Sequence, residues 1–370
     1  MHFQINREAI LKPLQIVGGA IEKRHTMPIL SNVLISLEGS TLQLTGTDLE
    51  VALVAKVQVD QAFESGAVAL PVRKLMDLFR ALPDNANLDC HLTDNKFIIA
   101  SGRSRCSLAT LPASDFPALD ETLSIASFSL PSRVLQELMT KTSFSMAQQD
   151  VRYYLNGMLF IFYSNQLRAV STDGHRLATY LIDTDPIPVR QPLYLIIPRK
   201  GVLELNRLLQ EAQDEVAIRL TKNHFCVTAH HYSFTTKLIE GRFPDYAQVL
   251  PTKNEYRAVI PREKFKQSLQ RVAVLFSDKH RGAGLQFSRN TLKILAKNSD
   301  KDEVEEIVEI DYQDKELEIG FNIHYLLEYV SNSKSDAIVI TFTDANASVL
   351  FEESGDRQKA WQYVVMPMLL

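Results

Sequence analysis

Five consecutive residues near the middle of the chain, Thr172-Asp-Gly-His-Arg176, have side chains that could take part in acid–base or metal chemistry. Asp173 and His175 are two residues apart, and a carboxylate beside an imidazole can transfer protons or bind a metal ion. Asp-Gly after an apolar segment is also a common turn signal, and Thr47-Asp-Leu-Glu50 stands in a similar setting earlier in the chain. We therefore favour a turn here, with a nuclease that uses Asp173 and His175 as the rival hypothesis.

Two other polar stretches also suggest chemistry at first sight. His230 and His231 lie in an alternating segment that predicts a strand, where neighbouring side chains point to opposite faces and cannot easily share a metal ion. Ser101-Gly-Arg-Ser-Arg105 lacks the glycine spacing and the Lys-Ser/Thr ending of a phosphate-binding loop, so it predicts a hairpin end with projecting arginines. No Cys-x-x-Cys pair occurs, and we expect reduced thiols, no metal and no cofactor at the isolated cysteines, Cys90, Cys106 and Cys226.

The elements that must position these residues recur three times along the chain. Residues 32–48, 157–173 and 284–298 are each typical of a strand, a polar turn and a second strand. The period is about 125 residues, which is the size of a domain rather than of a solenoid repeat. The sequence therefore predicts three tandem domains made by triplication. We place these domains at residues 1–125, 126–252 and 253–370.

Each repeat is predicted to contain two helices and several antiparallel strands. Apolar residues recur at three- and four-residue steps in six segments, several of which begin at a proline. These helical segments are 7–24, 72–82, 131–143, 198–211, 261–281 and 322–334. Pro13 lies inside the first segment and is expected to bend or delay that helix. Between the helices, apolar and polar residues alternate as in antiparallel strands with one solvent face, so the predicted fold class is α+β.

Charge is divided unevenly between the two kinds of element. The chain has a formal net charge of -4, yet its predicted helical segments contain more Lys and Arg than Asp and Glu. One explanation is that helices simply favour Lys and Arg, but helices accept Glu equally well. The other is that the helices face a polyanion while the sheets face solvent. Clustered Lys and Arg would then attract phosphates without reading sequence.

The composition is ordinary for a globular protein, with 45% apolar and 23% charged residues. No apolar run approaches the roughly 18–20 residues that span a bilayer, and the N-terminus shows no signal peptide. We therefore expect a cytoplasmic protein without a membrane partner. The C-terminal segment from Tyr363 to Leu370 is apolar to its last residue. It is either a final core strand or the border of an apolar cleft that adapts to several partners.

Several longer segments resemble the bacterial DNA polymerase III beta subunit family, the replicative sliding clamps. The resemblance covers the whole chain. It is carried by Thr45-Gly-Thr-Asp-Leu-Glu50, Ser101-Gly-Arg-Ser-Arg105, Phe144-Ser-Met-Ala147, Gln149-Asp-Val-Arg-Tyr-Tyr-Leu-Asn-Gly-Met-Leu159, Thr172-Asp-Gly-His-Arg-Leu177, Pro198-Arg-Lys-Gly201, Gly241-Arg-Phe-Pro-Asp-Tyr246, Glu318-Ile-Gly-Phe-Asn322 and Tyr363-Val-Val-Met-Pro-Met368.

The resemblance implies the DNA clamp fold, in which two chains join head to tail into a ring of six domains with helices lining the hole. Such a ring encircles duplex DNA, slides along it and keeps the replicative polymerase near its template. The family makes and breaks no bond, which implies a processivity factor and not an enzyme. Expected partners are double-stranded DNA of any sequence, a second copy of the chain, and apolar peptides of the polymerase, clamp loader and repair proteins. An open DNA-binding adaptor that never closes is the remaining alternative.

The resemblance also implies three groups of functional residues. DNA contacts would be made by Arg24, Arg73, Gln149, Tyr153, Tyr154 and Lys200. A cleft for partner peptides would be formed by Leu155, Thr172, Gly174, His175, Arg176, Leu177, Pro244, Val249, Asn322, Tyr325, Ser348, Val364, Val365, Met366, Pro367 and Met368. The dimer interface would contain Arg103, Arg105, Cys106, Leu108, Val274, Leu275, Glu303, Glu305 and Glu306. There, the arginines of one chain would pair with the glutamates of the other.

The sequence departs from the family pattern at five positions in or near the implied cleft and dimer interface. Gln248 stands where well-known members have an arginine beside the cleft, His280 and Asn346 replace apolar residues of its rim, and Leu369 replaces a basic one. We expect these changes to alter ligand preference while the cleft itself is retained. Cys106 replaces a bulky aromatic residue at the dimer edge, where a smaller side chain can leave a gap and change dimer strength.

Overall fold

The computed structural model of the chain contains two compact units. One comprises Met1–Leu135 and Lys200–Leu238, and the other comprises Gln136–Arg199 and Ile239–Leu370. The residues of the middle predicted domain are therefore divided between the two units. The structure describes residues 1–22, 27–118, 123–211, 214–251, 255–276, 282–297, 301–356 and 360–369.

Six α-helices lie in the described residues, one at each position that apolar periodicity predicts. They are α1 (Arg7–Val17), α2 (Val72–Ala81), α3 (Ser132–Thr142), α4 (Arg199–Leu209), α5 (Arg262–Ala273) and α6 (Ile323–Asn332). The prolines predicted to open α3, α4 and α5 are instead the last residues of the preceding strands. Proline lacks a backbone N–H, which suits the point where the hydrogen-bonded ladder stops.

The first helix differs from its prediction at two points. Pro13 lies inside α1 and does not delay it, because Ile10 and Leu14 on the same face are buried and hold the helix against the core. The expected delay is therefore wrong. The helix also ends at Val17 rather than at residue 24, and the N–H of Gly18 bonds to the carbonyl of Leu14 as the last turn closes.

The strands follow the predicted alternation and are all paired antiparallel. Within the described part of the chain they are β1 (His2–Asn6), β2 (Asn32–Glu38), β3 (Thr41–Thr47), β4 (Val51–Gln58), β5 (Gln61–Glu64), β6 (Gly66–Pro71), β7 (Asn87–Thr93), β8 (Lys96–Ser101), β9 (Ser104–Ala109), β10 (Leu111–Pro112), β11 (Ser124–Pro131), β12 (Gly157–Phe162), β13 (Gln166–Thr172), β14 (Arg176–Asp183), β15 (Leu193–Pro198), β16 (Glu215–Thr221), β17 (His224–Ala229), β18 (Tyr232–Lys237), β19 (Tyr256–Pro261), β20 (Gly282–Ser288), β21 (Thr291–Lys297), β22 (Glu303–Glu309), β23 (Leu317–Asn322), β24 (Ala337–Phe342), β25 (Val349–Glu353) and β26 (Trp361–Val365). The fold class is α+β, as predicted.

The first unit contains two sheets. A five-stranded sheet has the order β5-β1-β7-β8-β9, and a nine-stranded sheet has the order β10-β6-β2-β3-β4-β18-β17-β16-β11. Ile10, Leu14 and Val17 of α1 are buried against β3 and β4. Gly46 of β3 makes this packing close, because a Cβ there would lie 2.7 Å from the carbonyl oxygen of Val17.

The second unit contains the other two sheets. An eight-stranded sheet has the order β15-β12-β13-β14-β26-β25-β24-β19, and a four-stranded sheet has the order β22-β21-β20-β23. The core between its helices and sheets is rich in aromatic rings: Tyr329 stacks on Tyr363 with ring centroids 5.0 Å apart and contacts Trp361 in a tilted arrangement at 4.4 Å. The chain's single tryptophan is fully buried here, and its indole N–H donates to the carbonyl of Lys141.

Hairpins form where turn residues predicted them. Gly102 (φ 55°) and Asp94 (φ 52°) occupy the turns on either side of β8. His230 and His231 differ from prediction, because they form the turn between β17 and β18 rather than continue a strand, and His230 has a positive φ of 50°. Among the described residues, no helix is long and apolar enough to cross a membrane.

Candidate functional site

A cleft of about 550 Å³ opens on the surface of the second unit. Its walls come from the end of β13, the start of β14, the segment before β12, the loop before β25 and the end of β26. The lining residues are Arg152, Leu155, Thr172, Gly174, Arg176, Leu177, Phe243, Pro244, Tyr246, Gln248, Val249, Asn346, Ala347, Ser348, Val364 and Met366.

The Thr172–Arg176 stretch forms a tight turn at the cleft rim. Asp173 Oδ1 accepts hydrogen bonds from the backbone N–H groups of His175 (2.9 Å) and Arg176 (3.1 Å), and Gly174 has a φ of 89°. Asp173 Oδ2 accepts from Arg176 Nε at 3.0 Å. Because both carboxylate oxygens are occupied in this way and the His175 side chain is exposed, the structure supports the turn and not a catalytic pair.

Arg176 connects this turn to the core of the unit. Its side chain is buried, its guanidinium also pairs with Glu328, and its Cζ lies 4.1 Å from the centre of the Tyr325 ring. A second hydrogen bond reaches the carbonyl oxygen of Phe144. Arg176 thus presents only part of its surface to the cleft, and its donors connect the start of β14 to the turn, to α6 and to the backbone at Phe144.

The floor of the cleft is apolar. Leu155, Leu177 and Val364 are buried beneath it and pack in one hydrophobic cluster. Val249 and Met366 stand at the rim with 40% and 42% of their surfaces exposed. An apolar floor with exposed apolar side chains at the rim is suited to an extended peptide with apolar anchors.

The sequence left open whether the C-terminal segment is a core strand or the border of a cleft, and the structure shows that it is both. The β26 residues from Tyr363 to Val365 are fully buried, as in a core strand. Met366 then lines the cleft, with its N–H bonded to the carbonyl of His175 at 2.8 Å, and the N–H of Met368 bonds to the carbonyl of Gly320 at 2.9 Å.

A charged pair lies against the turn at the cleft rim. Arg152 donates to Asp150 through Nη2 (2.8 Å) and Nε (3.0 Å), and its Nη2 also donates to the carbonyl of Asp173 at 3.2 Å. The hydrogen bonds from the Arg152 side chain and backbone N–H to the carboxylate lower the pKa of Asp150 to about 2. At the same rim, burial raises the pKa of the Tyr246 hydroxyl, which therefore remains a neutral hydrogen-bonding group.

Most of the residues implied for the cleft lie in it, and some do not. Asn322 instead caps α6 by accepting from the N–H of His324 at 3.0 Å, and Tyr325 lies under Arg176. The further implied residues that do not line the cavity are His175, Val365, Pro367 and Met368. His280 lies outside the described residues, and Leu369 is 92% exposed.

Sequence reasoning missed four lining residues. These are Arg152, Phe243, Tyr246 and Ala347. Phe243 and Tyr246 lie within the Gly241–Tyr246 stretch that carried the family resemblance, so this stretch was the available signal. Gln248 and Asn346, noted above as departures from the family pattern, also line the cavity.

The residues implied for DNA contact have unequal environments. Arg24 lies outside the described residues. Arg73 on α2 and Gln149 are exposed, and Tyr153 is 58% exposed with its ring 5.7 Å from that of Tyr154. Lys200 already has partners in its own chain, because its ammonium pairs with Asp48 and Glu22.

The residues implied for the dimer interface lie on or near β9 and β22, which are edge strands of the five- and four-stranded sheets in the described chain. Arg105, Cys106 and Leu108 lie on β9, with Arg103 in the turn before it, and both arginines are exposed. Glu303, Glu305 and Glu306 lie on β22, while Val274 and Leu275 follow α5, with Val274 84% exposed. Within their own chain, Glu306 pairs with Arg271, Glu305 with Lys293 and Glu303 with Lys297. The Arg271 hydrogen bond lowers the pKa of Glu306.

Comparisons with known proteins agree along the whole chain. Models of the N-terminal, central and C-terminal domains of the DNA polymerase III beta subunit match residues 1–120, 129–245 and 247–369. The beta sliding clamps of Pseudomonas aeruginosa and Escherichia coli are 46% and 43% identical to this chain, with 100% of each protein covered.

Solved structures give the same result at the level of the fold. The DNA polymerase III subunit beta from Pseudomonas aeruginosa has a TM-score of 0.94 at 45% identity, and the DNA polymerase sliding clamp from Caulobacter crescentus has 0.92 at 31%. Both matches cover 100% of each chain. The three successive domain matches correspond to the three repeats predicted from the sequence. The chain therefore belongs to the DNA polymerase III beta subunit family, the bacterial sliding clamps.

Proposed function

We propose that two copies of this chain join head to tail into a ring that encircles duplex DNA and tethers the replicative polymerase for processive synthesis. The clamp loader and repair proteins would dock through short apolar peptides in the same cleft. The ring would act by enclosing DNA and would make no covalent bond. It would do so in the cytoplasm, where the bacterial DNA lies. The proposed domains are residues 1–125, 126–252 and 253–370, close to the three family matches.

A repeated rule of strand pairing carries the ring proposal. In the first repeat, β4 follows the β2–β3 hairpin and pairs with β18, the last strand of the second repeat. In the second repeat, β14 follows the β12–β13 hairpin and pairs with β26, the last strand of the third repeat. In the first repeat the strand equivalent to β18 and β26 is β9, because each of the three is the third strand after the second helix of its repeat, although the two-residue β10 follows β9. The strand equivalent to β4 and β14 in the third repeat is β22, and β9 and β22 each end their sheet in the described chain. Pairing β9 of one copy with β22 of another continues the rule and closes the ring.

The charges of these two strands favour that pairing. β22 has four glutamates among its seven residues, Glu303–Glu309, and β9 has Arg105 with Arg103 beside it. Electrostatic complementarity fixes the register of an interface and disfavours wrong partners such as β9 against β9. The glutamates of β22 already pair with lysines or Arg271 of their own chain, which weakens their attraction to the arginines of the other copy. Apolar contacts of Leu108 and Cys106 would therefore have to supply part of the affinity.

The helices supply the proposed surface for DNA. Five of the six helices contain more Lys and Arg than Asp and Glu, and α6 is the exception with Glu328 and no lysine or arginine. We keep Arg24, Arg73, Gln149, Tyr153, Tyr154 and Lys200 as proposed DNA contacts. Lys200 would contribute less than Arg73, because Asp48 and Glu22 already balance its charge.

The cleft residues named above are proposed as the docking site for partner peptides. Substituting Met366→Lys would place a cation at the apolar rim and should weaken binding of a fluorescent peptide from the polymerase's own clamp-binding segment by about tenfold or more. Met27→Lys is the matched control, since Met27 is 47% exposed but lies in the other unit. Equal affinity of the two variants would refute the placement of the docking site.

A topological experiment tests the ring itself and separates it from an open adaptor. The protein is loaded on nicked circular DNA with the clamp loader, and the circle is then cut once. A closed ring should slide off the linear ends while remaining on uncut circles in gel filtration. Equal retention on both forms would contradict encirclement and favour the open adaptor.

A further inference from the structure

Three metal-ligating side chains meet on one face of the five-stranded sheet in the first unit. His2 lies on β1, and Asp89 and His91 lie on β7. His2 is the register partner of His91, and Gln4 is the register partner of Asp89. Register partners face the same side of a sheet, as do residues two apart on one strand. All four side chains therefore project from the same face.

The atoms that can bind a cation converge at one point. His2 Nε2 lies 3.1 Å from Asp89 Oδ1, and His91 Nδ1 lies 3.6 Å from the same oxygen. All three atoms are within 4.8 Å of one another. In a tetrahedral zinc site with bonds of about 2.0–2.2 Å, neighbouring ligand atoms are about 3.3–3.6 Å apart. The spacing in this cluster therefore needs only small side-chain movements to surround an ion.

Neighbouring groups orient these ligands. Gln4 Nε2 donates to Asp89 Oδ2 at 2.9 Å, which leaves Oδ1 to face the two imidazoles. The Phe63 ring stacks on His2 with centroids 4.5 Å apart and fixes the plane of that imidazole. Outer hydrogen bonds of this kind strengthen metal sites. The side chains of His2, Asp89 and His91 are 36%, 37% and 31% exposed, so an ion and a water molecule can reach them.

The ligand set selects the kind of ion. Two imidazoles and one carboxylate suit zinc, whereas calcium and magnesium favour sets made of oxygen atoms. Glu64, the partner of His2 on β5, is not part of the set, because its carboxylate lies 3.4 Å from the amino group of Met1. Three protein ligands leave a fourth position for water.

We propose that His2 Nε2, Asp89 Oδ1 and His91 Nδ1 together bind one zinc ion on the five-stranded sheet of the N-terminal repeat. The ion links β1, which begins the chain, to β7 in the second half of that repeat. An ion that binds the folded state and not the unfolded chain stabilises the folded state by mass action. Zinc would thus hold the N-terminal strand in place independently of DNA or peptide binding.

Zinc titration of the full chain tests this proposal. The protein is purified without a histidine tag and with its own N-terminus, because a tag would add imidazoles next to His2. After removal of metals, isothermal titration with zinc chloride should show one ion bound per chain, and thermal unfolding should shift upward with zinc. Asp89→Asn and His91→Gln should each weaken binding by more than about tenfold, and Gln4→Met by about tenfold.

A second His–Asp pair in the same unit supplies the matched control. His230 Nε2 lies 3.2 Å from Asp214 Oδ2, but no third ligand is grouped with them in the described residues. His230→Gln should therefore leave zinc affinity and stoichiometry unchanged. The proposal is wrong if the natural protein binds no zinc at micromolar concentration, or if His91→Gln binds as the natural protein does. Far-UV circular dichroism of each variant shows whether it is folded, and cobalt spectra of the natural protein report the ligand set without any substitution.

Discussion

At Asp173, both carboxylate oxygens accept hydrogen bonds from the turn that the residue itself begins. A carboxylate held in this way shapes the rim of the cleft and is not available as a base. Arg176, its partner, is a buried cation with acidic groups on two sides, Asp173 and Glu328. At the scale of single residues, the polar chemistry of this region therefore builds the cleft, and apolar side chains form its floor.

Arg176→Met tests the structural part of this arrangement. The substitution keeps much of the volume but leaves Asp173 and Glu328 without their cation, and we expect a loss of about 2–4 kcal/mol in unfolding free energy. Trp361 is the only tryptophan and is buried in the same unit, so its fluorescence in urea reports the relevant transition. Arg152→Met, at an exposed pair on the same rim, should cost much less, because solvent screens that pair. Equal losses would contradict the assigned role of Arg176.

The Asp150–Arg152 pair gives a prediction for pH. The pKa of Asp150 is lowered to about 2 by the hydrogen bonds from Arg152, and an unfolded aspartate titrates near about 3.9. A carboxylate with a lowered folded-state pKa stabilises the fold above its unfolded pKa, and this contribution is lost as pH falls through about 2. Carbon-13 NMR titration should show the Asp150 carboxylate still ionised at pH 3, and Arg152→Met should raise its pKa. An unchanged pKa in that variant would exclude Arg152 as the cause.

At the scale of elements, close packing between α1 and β3 depends on one glycine. A Cβ at Gly46 would lie 2.7 Å from the Val17 carbonyl oxygen and 2.9 Å from Val17 Cγ1. Backbone atoms cannot move away as a flexible side chain can. The end of α1 is therefore fixed against the nine-stranded sheet by the absence of a side chain at this position.

Gly46→Ala should force α1 and β3 apart and lower stability by about 1–3 kcal/mol. Hydrogen exchange of the β3 amides measures this local effect directly. Gln43→Ala on the same strand is the control, because Gln43 is only partly buried and its removal adds no atoms. Unchanged protection of β3 in Gly46→Ala would show that the helix can shift without cost.

At the scale of the whole molecule, the three repeats share their sheets. β4 joins β18 and β14 joins β26, so the nine- and eight-stranded sheets each contain strands of two successive repeats. Sharing a sheet between repeats removes exposed strand edges, which are otherwise liable to aggregate. The two edges that the rule leaves over, β9 and β22, are the proposed junctions between copies.

Reversing charge at β9 tests this junction. Arg103→Glu combined with Arg105→Glu would place like charges opposite the glutamates of β22, and multi-angle light scattering should then give monomers instead of dimers. Arg257→Glu is the matched control, since Arg257 is an exposed arginine on β19, which ends the eight-stranded sheet. A dimer that survives the double substitution would refute the proposed edge.

Much of the fold follows from local pattern. The three- and four-residue steps of apolar residues such as Ile10, Leu14 and Val17 predicted α1, and the Ser101–Arg105 stretch predicted a hairpin end. Such patterns are readable because helix and strand periodicity depend on residues a few positions apart. The bounds of an element are predicted less well: the periodic pattern suggested a helix to residue 24, whereas α1 ends at Val17.

By itself, the sequence determined the three repeats, the two helices and alternating strands of each, and membership of a clamp family. Only the tertiary structure decided which distant side chains meet. Arg176 and Glu328 are 152 residues apart, and His2 and Asp89 are 87 apart. Their contacts depend on the order and register of strands, which are set by the sum of many long-range packing and hydrogen-bonding interactions. No local periodicity encodes that sum, so the family resemblance could suggest the cleft, but its full lining and the proposed zinc site became visible only when the sheets were in place.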